Sequence, residues 1–99
     1  MSLTTSERQH GKPAVPVELQ RRRILFSLST GTRPAPMSAM AYIAFPDFTF
    51  RSKQGAALCI SRTVRALCDD GMLTGRDHGY LITNKGREWV QAVKDKDDE

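Results

Sequence analysis

The sequence has no apolar run long enough to cross a membrane. Its longest unbroken apolar stretch, Ala39 to Phe45, has seven residues, whereas a transmembrane helix needs about 18 or more. The first ten residues also lack the positively charged start and apolar centre of a secretory signal peptide. These absences predict a cytoplasmic chain that does not span a membrane.

Cysteine and histidine are scarce, with two residues of each. Cys59 and Cys68 are nine positions apart in a predicted helix, which places them on opposite sides and about 13 Å apart along the axis. They are too far apart for a disulfide, and no Cys or His cluster has zinc-ligand spacing. We therefore expect a reducing compartment, no metal site and no cofactor.

Motifs typical of enzymes are missing as well. The chain has no Walker-type glycine loop, no Gly-x-Ser-x-Gly elbow, and no cysteine and histidine at an interpretable spacing. The sequence has an acid pair at Asp69-Asp70 and an acid–base pair at Asp77-His78, and a helix end and a turn account for them. We expect no catalytic activity.

What the sequence does have is an uneven distribution of charge over 99 residues, a length that fits one small domain. Residues 1–68 carry ten Lys and Arg against three acidic residues, whereas residues 69–99 carry five against eight. A positive field of this kind favours association with nucleic acid but gives no sequence preference. The alternative is a solvated basic surface that keeps the protein in solution.

The chain divides into three segments and shows no internal repeat. Residues 1–15 lack periodicity and are interpreted as a disordered arm, residues 16–95 as the folded domain, and residues 96–99 as an acidic tail. Helix 1 is predicted from Pro16 to about Thr30, with Arg21, Arg22 and Arg23 spread around it and mostly solvated.

Two prolines make residues 31–36 a connection without helix or ladder hydrogen bonds. Helix 2 is then predicted to begin with Ser38 as its N-cap and to stop before Pro46. Three phenylalanines follow in the link Phe45–Arg51, and we expect them to pack beneath it. A stacking platform of exposed Phe48 and Phe50 for single-stranded bases is the alternative.

Helix 3 is the strongest local signal, from an N-cap at Ser52 to Asp70, with Gly71 closing it in a left-handed conformation. One face is predicted to be core and the other polar. The core residues are Ala57, Ile60, Val64, Leu67 and Cys68; the polar ones are Gln54, Ser61, Arg62 and Arg65.

A hairpin and a last helix complete the chain. Met72–Thr74 and Tyr80–Thr83 are short apolar runs around the loop Gly75–Gly79, which has a glycine at each end. Thr83 is the predicted N-cap of a helix from about Asn84 to Lys94. The predicted fold class is mainly α with a small β-hairpin.

The segments Ile60–Leu73 and Tyr80–Glu88, with a hairpin between them, resemble a winged helix-turn-helix domain. The end of the recognition helix and the entry into the wing are similar to those of bacterial MarR-type and PadR-type regulators. The sequence departs from the pattern in the long link between helices 2 and 3. It also departs at Ala56, Ala57 and Leu58, in the first turns of the recognition helix, where DNA-binding proteins of this fold often have polar side chains.

The resemblance implies that helix 3 enters the major groove of double-stranded DNA and that the wing reaches the minor groove or its flanking phosphates. Base contacts are expected from the outward face of helix 3 and backbone contacts from its start. The implied DNA-binding residues are Arg51, Lys53, Gln54, Ser61, Arg62, Arg65, Arg76 and His78.

The function expected from this resemblance is sequence-specific DNA binding by a small bacterial or phage-type transcriptional regulator, a repressor acting as a homodimer. Trp89, Val90 and Val93 form an apolar stripe that is the candidate dimer interface, and packing on helix 1 within one chain is the alternative. The alternative function is a winged-helix protein-protein interaction module without specific DNA binding.

Overall fold

The structure, a computed structural model, describes residues 15–31, 33–76 and 78–97. In these residues it is mainly helical with one small antiparallel sheet, as predicted. Positions 1–14 of the predicted arm and 98–99 of the predicted tail lie outside this range. The elements, in chain order, are α1 (Val17–Ser29), α2 (Met37–Ala44), α3 (Lys53–Asp69), β1 (Leu73–Arg76), β2 (Gly79–Ile82) and α4 (Asn84–Asp97).

The core lies between α1, α2 and α3, and β1, β2 and α4 close its edge. Its largest fully buried side chains come from the three helices and are Ile24, Leu25, Met40, Ile60, Val64 and Leu67. A polar pair joins α1 to α3 inside this core, because the Thr63 hydroxyl donates a 2.6 Å hydrogen bond to Gln20 Oε1.

The ends of α3 follow the sequence signals. The Ser52 hydroxyl accepts a hydrogen bond from the Gly55 N–H at 3.0 Å, and Gly71 has a φ of 80°. The buried face is rotated slightly from its predicted phase. Ala56 and Thr63 are buried together with Ile60, Val64 and Leu67, whereas Ala57 and Cys68 are only half-buried.

The start of α2 corrects a prediction. Met37 is already helical and Pro36 occupies the cap position, so Ser38 lies in the first turn and is not the N-cap. Proline needs no hydrogen-bond partner for its nitrogen, which suits it to a helix start.

The hairpin is tighter than predicted, and a third segment of chain joins it. Arg76 pairs with Gly79, whereas the predicted loop ran from Gly75 to Gly79. Ala35, between the two prolines of the first connection, exchanges two backbone hydrogen bonds with Tyr80, at 2.9 Å and 2.8 Å. The connection therefore does contribute to a ladder.

α4 begins as predicted and continues further. The Thr83 hydroxyl accepts a hydrogen bond from the Gly86 N–H at 3.1 Å. The helix then runs to Asp97, beyond the predicted end at Lys94, and Asp97 forms an ion pair with Arg22 of α1. Of the helices that the structure describes, none combines the length and the apolar character needed to cross a membrane.

Candidate nucleic-acid interface

The outward face of α3 is built by the same periodicity that builds the core. Because one side of the helix is buried, residues half a turn away point to solvent. Gln54, Leu58, Arg62 and Arg65 are all exposed on that side. Ser61 is half-buried, and its hydroxyl donates to the Leu58 carbonyl at 3.0 Å.

The charged side chains on and just before this face are all positive. The sequence has no acidic residue from Phe48 to Cys68 but has four basic ones, Arg51, Lys53, Arg62 and Arg65. Among the described residues, neither Arg62 nor Arg65 forms a salt bridge. Two guanidiniums about one turn apart thus face solvent without a described carboxylate partner, an arrangement that suits an anionic ligand.

The arginines of α1 behave differently from this face. Arg21 forms a 2.7 Å salt bridge with Asp70 after α3, and Arg23 donates to the Ala44 carbonyl at the end of α2. Arg22 pairs with Asp97 and lies 5.1 Å from the centroid of the Phe26 ring. Each of the three tethers α1 to other parts of the chain, so the triplet is less solvated than predicted.

The remaining predicted DNA-binding residues lie at two places. Arg51 and Lys53 are exposed at the start of α3, where the helix dipole adds positive potential. Arg76 and His78 are exposed at the tip of the hairpin, Arg76 in the last pair of the ladder and His78 in the turn. All eight predicted residues are therefore at the surface, with Ser61 the most covered of them.

A groove of about 370 Å³ borders the outward face, and the sequence did not indicate it. It lies between the first turns of α1, the end of α2 and the middle of α3. Its lining residues are Val17, Gln20, Phe45, Leu58, Cys59, Ser61, Arg62 and Thr63. Leu58 is 69 % exposed and Val17 is 53 % exposed, so the rim of the groove is partly apolar.

The phenylalanines of the link pack inward rather than standing free. Phe45 is buried, and Phe48 and Phe50 are half-buried against the core with their ring centroids 4.8 Å apart. Tyr42 packs edge-on against Phe50 at 5.4 Å. The two rings proposed for base stacking thus already have aromatic neighbours within the chain.

The predicted dimer stripe contacts the chain's own core. Val90 is only 3 % exposed, and Trp89 packs edge-on against Phe26 of α1 at 6.4 Å. Val93 is half-buried. This is the packing on helix 1 within one chain that was the alternative to an interface, and it leaves little of Val90 for a partner.

The cysteines do not pair with each other and are half-buried. Burial raises the pKa of the Cys68 thiol, and the neighbouring Asp69 carboxylate raises it further. Both effects favour the neutral thiol, which is a poor nucleophile and metal ligand. In the described part of the chain, no three His, Cys, Asp or Glu side chains are grouped to hold a metal ion.

Comparison with protein-family models, curated protein sequences and solved structures gives no match to this chain.

Proposed function

We propose that this chain is a winged-helix transcriptional regulator that binds double-stranded DNA through the outward face of α3. The observation that carries the proposal is the exposed pair Arg62 and Arg65, one turn apart on a helix whose opposite face is anchored in the core. An arginine in the major groove can bind guanine O6 and N7 with two hydrogen bonds or can hold a phosphate.

The element order supports the winged-helix fold. Three helices are followed by a hairpin and a fourth helix, and the segment between α1 and α2 pairs with β2. In this arrangement α3 is the recognition helix, and the hairpin that carries Arg76 and His78 is the wing. Homodimeric binding to a two-fold symmetric site is part of the proposal, because a palindromic site matches a symmetric dimer.

A protein-protein interaction module is the second candidate function. It is favoured by the exposed apolar side chains of Leu58 and Val17 at the rim of the groove. Such a module would bind duplex DNA weakly, without sequence preference, and only through its positive charge.

Selection of tight-binding duplexes from a random pool at physiological salt separates the two candidates. We expect the wild-type chain to enrich an inverted repeat and the variant with Arg62 and Arg65 both replaced by alanine to enrich none. The matched control replaces the exposed Lys94 and Lys96 of α4 by alanine, which removes the same charge away from α3 and should leave enrichment intact.

Equal loss of enrichment in both double variants would mean that only total charge matters, and the proposed reading face would then be wrong. Failure of the wild-type chain to enrich any sequence would reject specific DNA binding and favour a protein partner.

A further inference from the structure

The outward face of α3 has an apolar side chain at its centre. Leu58 lies opposite the buried residues of the helix, one turn after Gln54 and one turn before Arg62, and it is 69 % exposed. Single exposed leucines are common on protein surfaces. This one, however, lies in the middle of the face that the proposed function assigns to the DNA.

The charges around Leu58 favour an anionic partner. No acidic residue occurs between Phe48 and Cys68, and Arg62 and Arg65 follow Leu58 on the same side of α3. The rise of an α-helix places Leu58 about 6 Å from the level of Arg62 and about 10 Å from that of Arg65. Side chains at such intervals on one helix can reach neighbouring base pairs of the same major groove, where successive base pairs are about 3.4 Å apart.

The major groove presents one methyl group to such a side chain. The other recognition groups on its base edges are hydrogen-bond donors and acceptors, which leucine cannot satisfy, whereas thymine adds a 5-methyl group. We propose that Leu58 is a specificity-determining residue that contacts the 5-methyl group of a thymine, close to a base pair contacted by Arg62 or Arg65. This inference rests on the proposed function.

Replacing thymine by uracil in the selected duplex isolates this contact, because uracil keeps the O4 acceptor and lacks only the methyl group. Each thymine of the tightest duplex from the selection is replaced in turn, and the Kd is measured at constant salt for the wild-type chain and for Leu58→Ala. We expect one replacement in each half-site to weaken wild-type binding about fourfold per methyl group removed. Leu58→Ala should bind the thymine and uracil duplexes equally.

Val17→Ala is the matched control. Val17 is also an exposed apolar residue on the rim of the groove, but it belongs to α1. This variant should keep the wild-type preference for thymine over uracil. Loss of that preference in both variants would show that the thymine preference depends on the whole protein groove between α1, α2 and α3, and the assignment to Leu58 would be wrong.

The failures of the inference and of the proposed function are distinguishable. Specific binding with no uracil effect at any position, or a selected site without thymine, overturns the role of Leu58 and leaves DNA binding standing. Absence of specific binding to any duplex overturns both. If Leu58→Ala instead converts a dimer to a monomer in sedimentation, Leu58 belongs to an interface between copies and the inference fails.

Discussion

Two leucines of α3 show how strongly the role of one residue depends on its side of the helix. Leu67 is fully buried, whereas Leu58 is 69 % exposed. We expect Leu67→Ala to lower the free energy of unfolding by about 2 to 5 kcal/mol, because it leaves a cavity in the core. Leu58→Ala should change it by less than about 0.5 kcal/mol. Urea unfolding of both variants checks this, and similar decreases would mean that the phase of α3 is misassigned.

The hydrogen bond between Thr63 and Gln20 is the buried polar contact that ties α3 to α1. Thr63→Val keeps the shape of the side chain but leaves Gln20 Oε1 without this donor, which should cost about 1 to 3 kcal/mol. Ser61→Ala is the control, because the Ser61 hydroxyl bonds an exposed carbonyl of its own helix. Thermal unfolding should show a clearly lower Tm for the first variant and a nearly unchanged one for the second.

At the scale of elements, the sequence predicted those whose signals are local. The caps at Ser52 and Thr83 and the left-handed Gly71 end or begin helices where they were expected. Each signal depends on side-chain or backbone chemistry within three or four residues. In the candidate site, the exposure of Arg62 and Arg65 was also predicted from a local signal, the helical periodicity of α3.

Several features that the sequence did not reveal depend on distant residues, whereas the cap of α2 at Pro36 and the short hairpin connection are local features that it also missed. The pairing of Ala35 with Tyr80 joins positions 45 residues apart, and the two prolines beside Ala35 concealed it. The last turn of α4 contains Asp97, which forms an ion pair with Arg22 of α1, and no local sequence pattern predicts this contact. The groove at Leu58 is likewise formed by three separate elements.

The glycines of the hairpin give a test of this third paired segment. Gly79 has a φ of 141°, and a Cβ there would lie 2.5 Å from the Ala35 carbonyl oxygen. We expect Gly79→Ala to destabilise the protein and to open the pairing of Ala35 with Tyr80. At Gly75 a Cβ would lie 3.7 Å from the Tyr80 ring, so Gly75→Ala should be tolerated. Hydrogen exchange at the Ala35 and Tyr80 amides should rise only in the Gly79 variant.

Across the whole molecule, some arginines contact other residues of the chain and others face solvent, where they can bind a ligand. The α1 triplet is engaged with residues of the same chain, whereas the basic residues on and before α3 face solvent. The logarithm of the Kd for duplex DNA should therefore rise linearly with the logarithm of the salt concentration, because each neutralised phosphate releases counterions. Replacing Arg62 and Arg65 by alanine should reduce that slope by about one for each phosphate that these side chains neutralise. An unchanged slope would mean that other residues bind the phosphates.

The proposed function requires that the outward face of α3 is the surface that contacts DNA. The most direct test is to follow the backbone amide NMR signals of this 99-residue chain while the selected duplex is added. We predict the largest shifts along Lys53–Arg65 and at Arg76 and His78, with small shifts in the second half of α4. Shifts concentrated in α4 or around Tyr42 and Phe50, with α3 unaffected, would mean that DNA binds to a different surface of the chain.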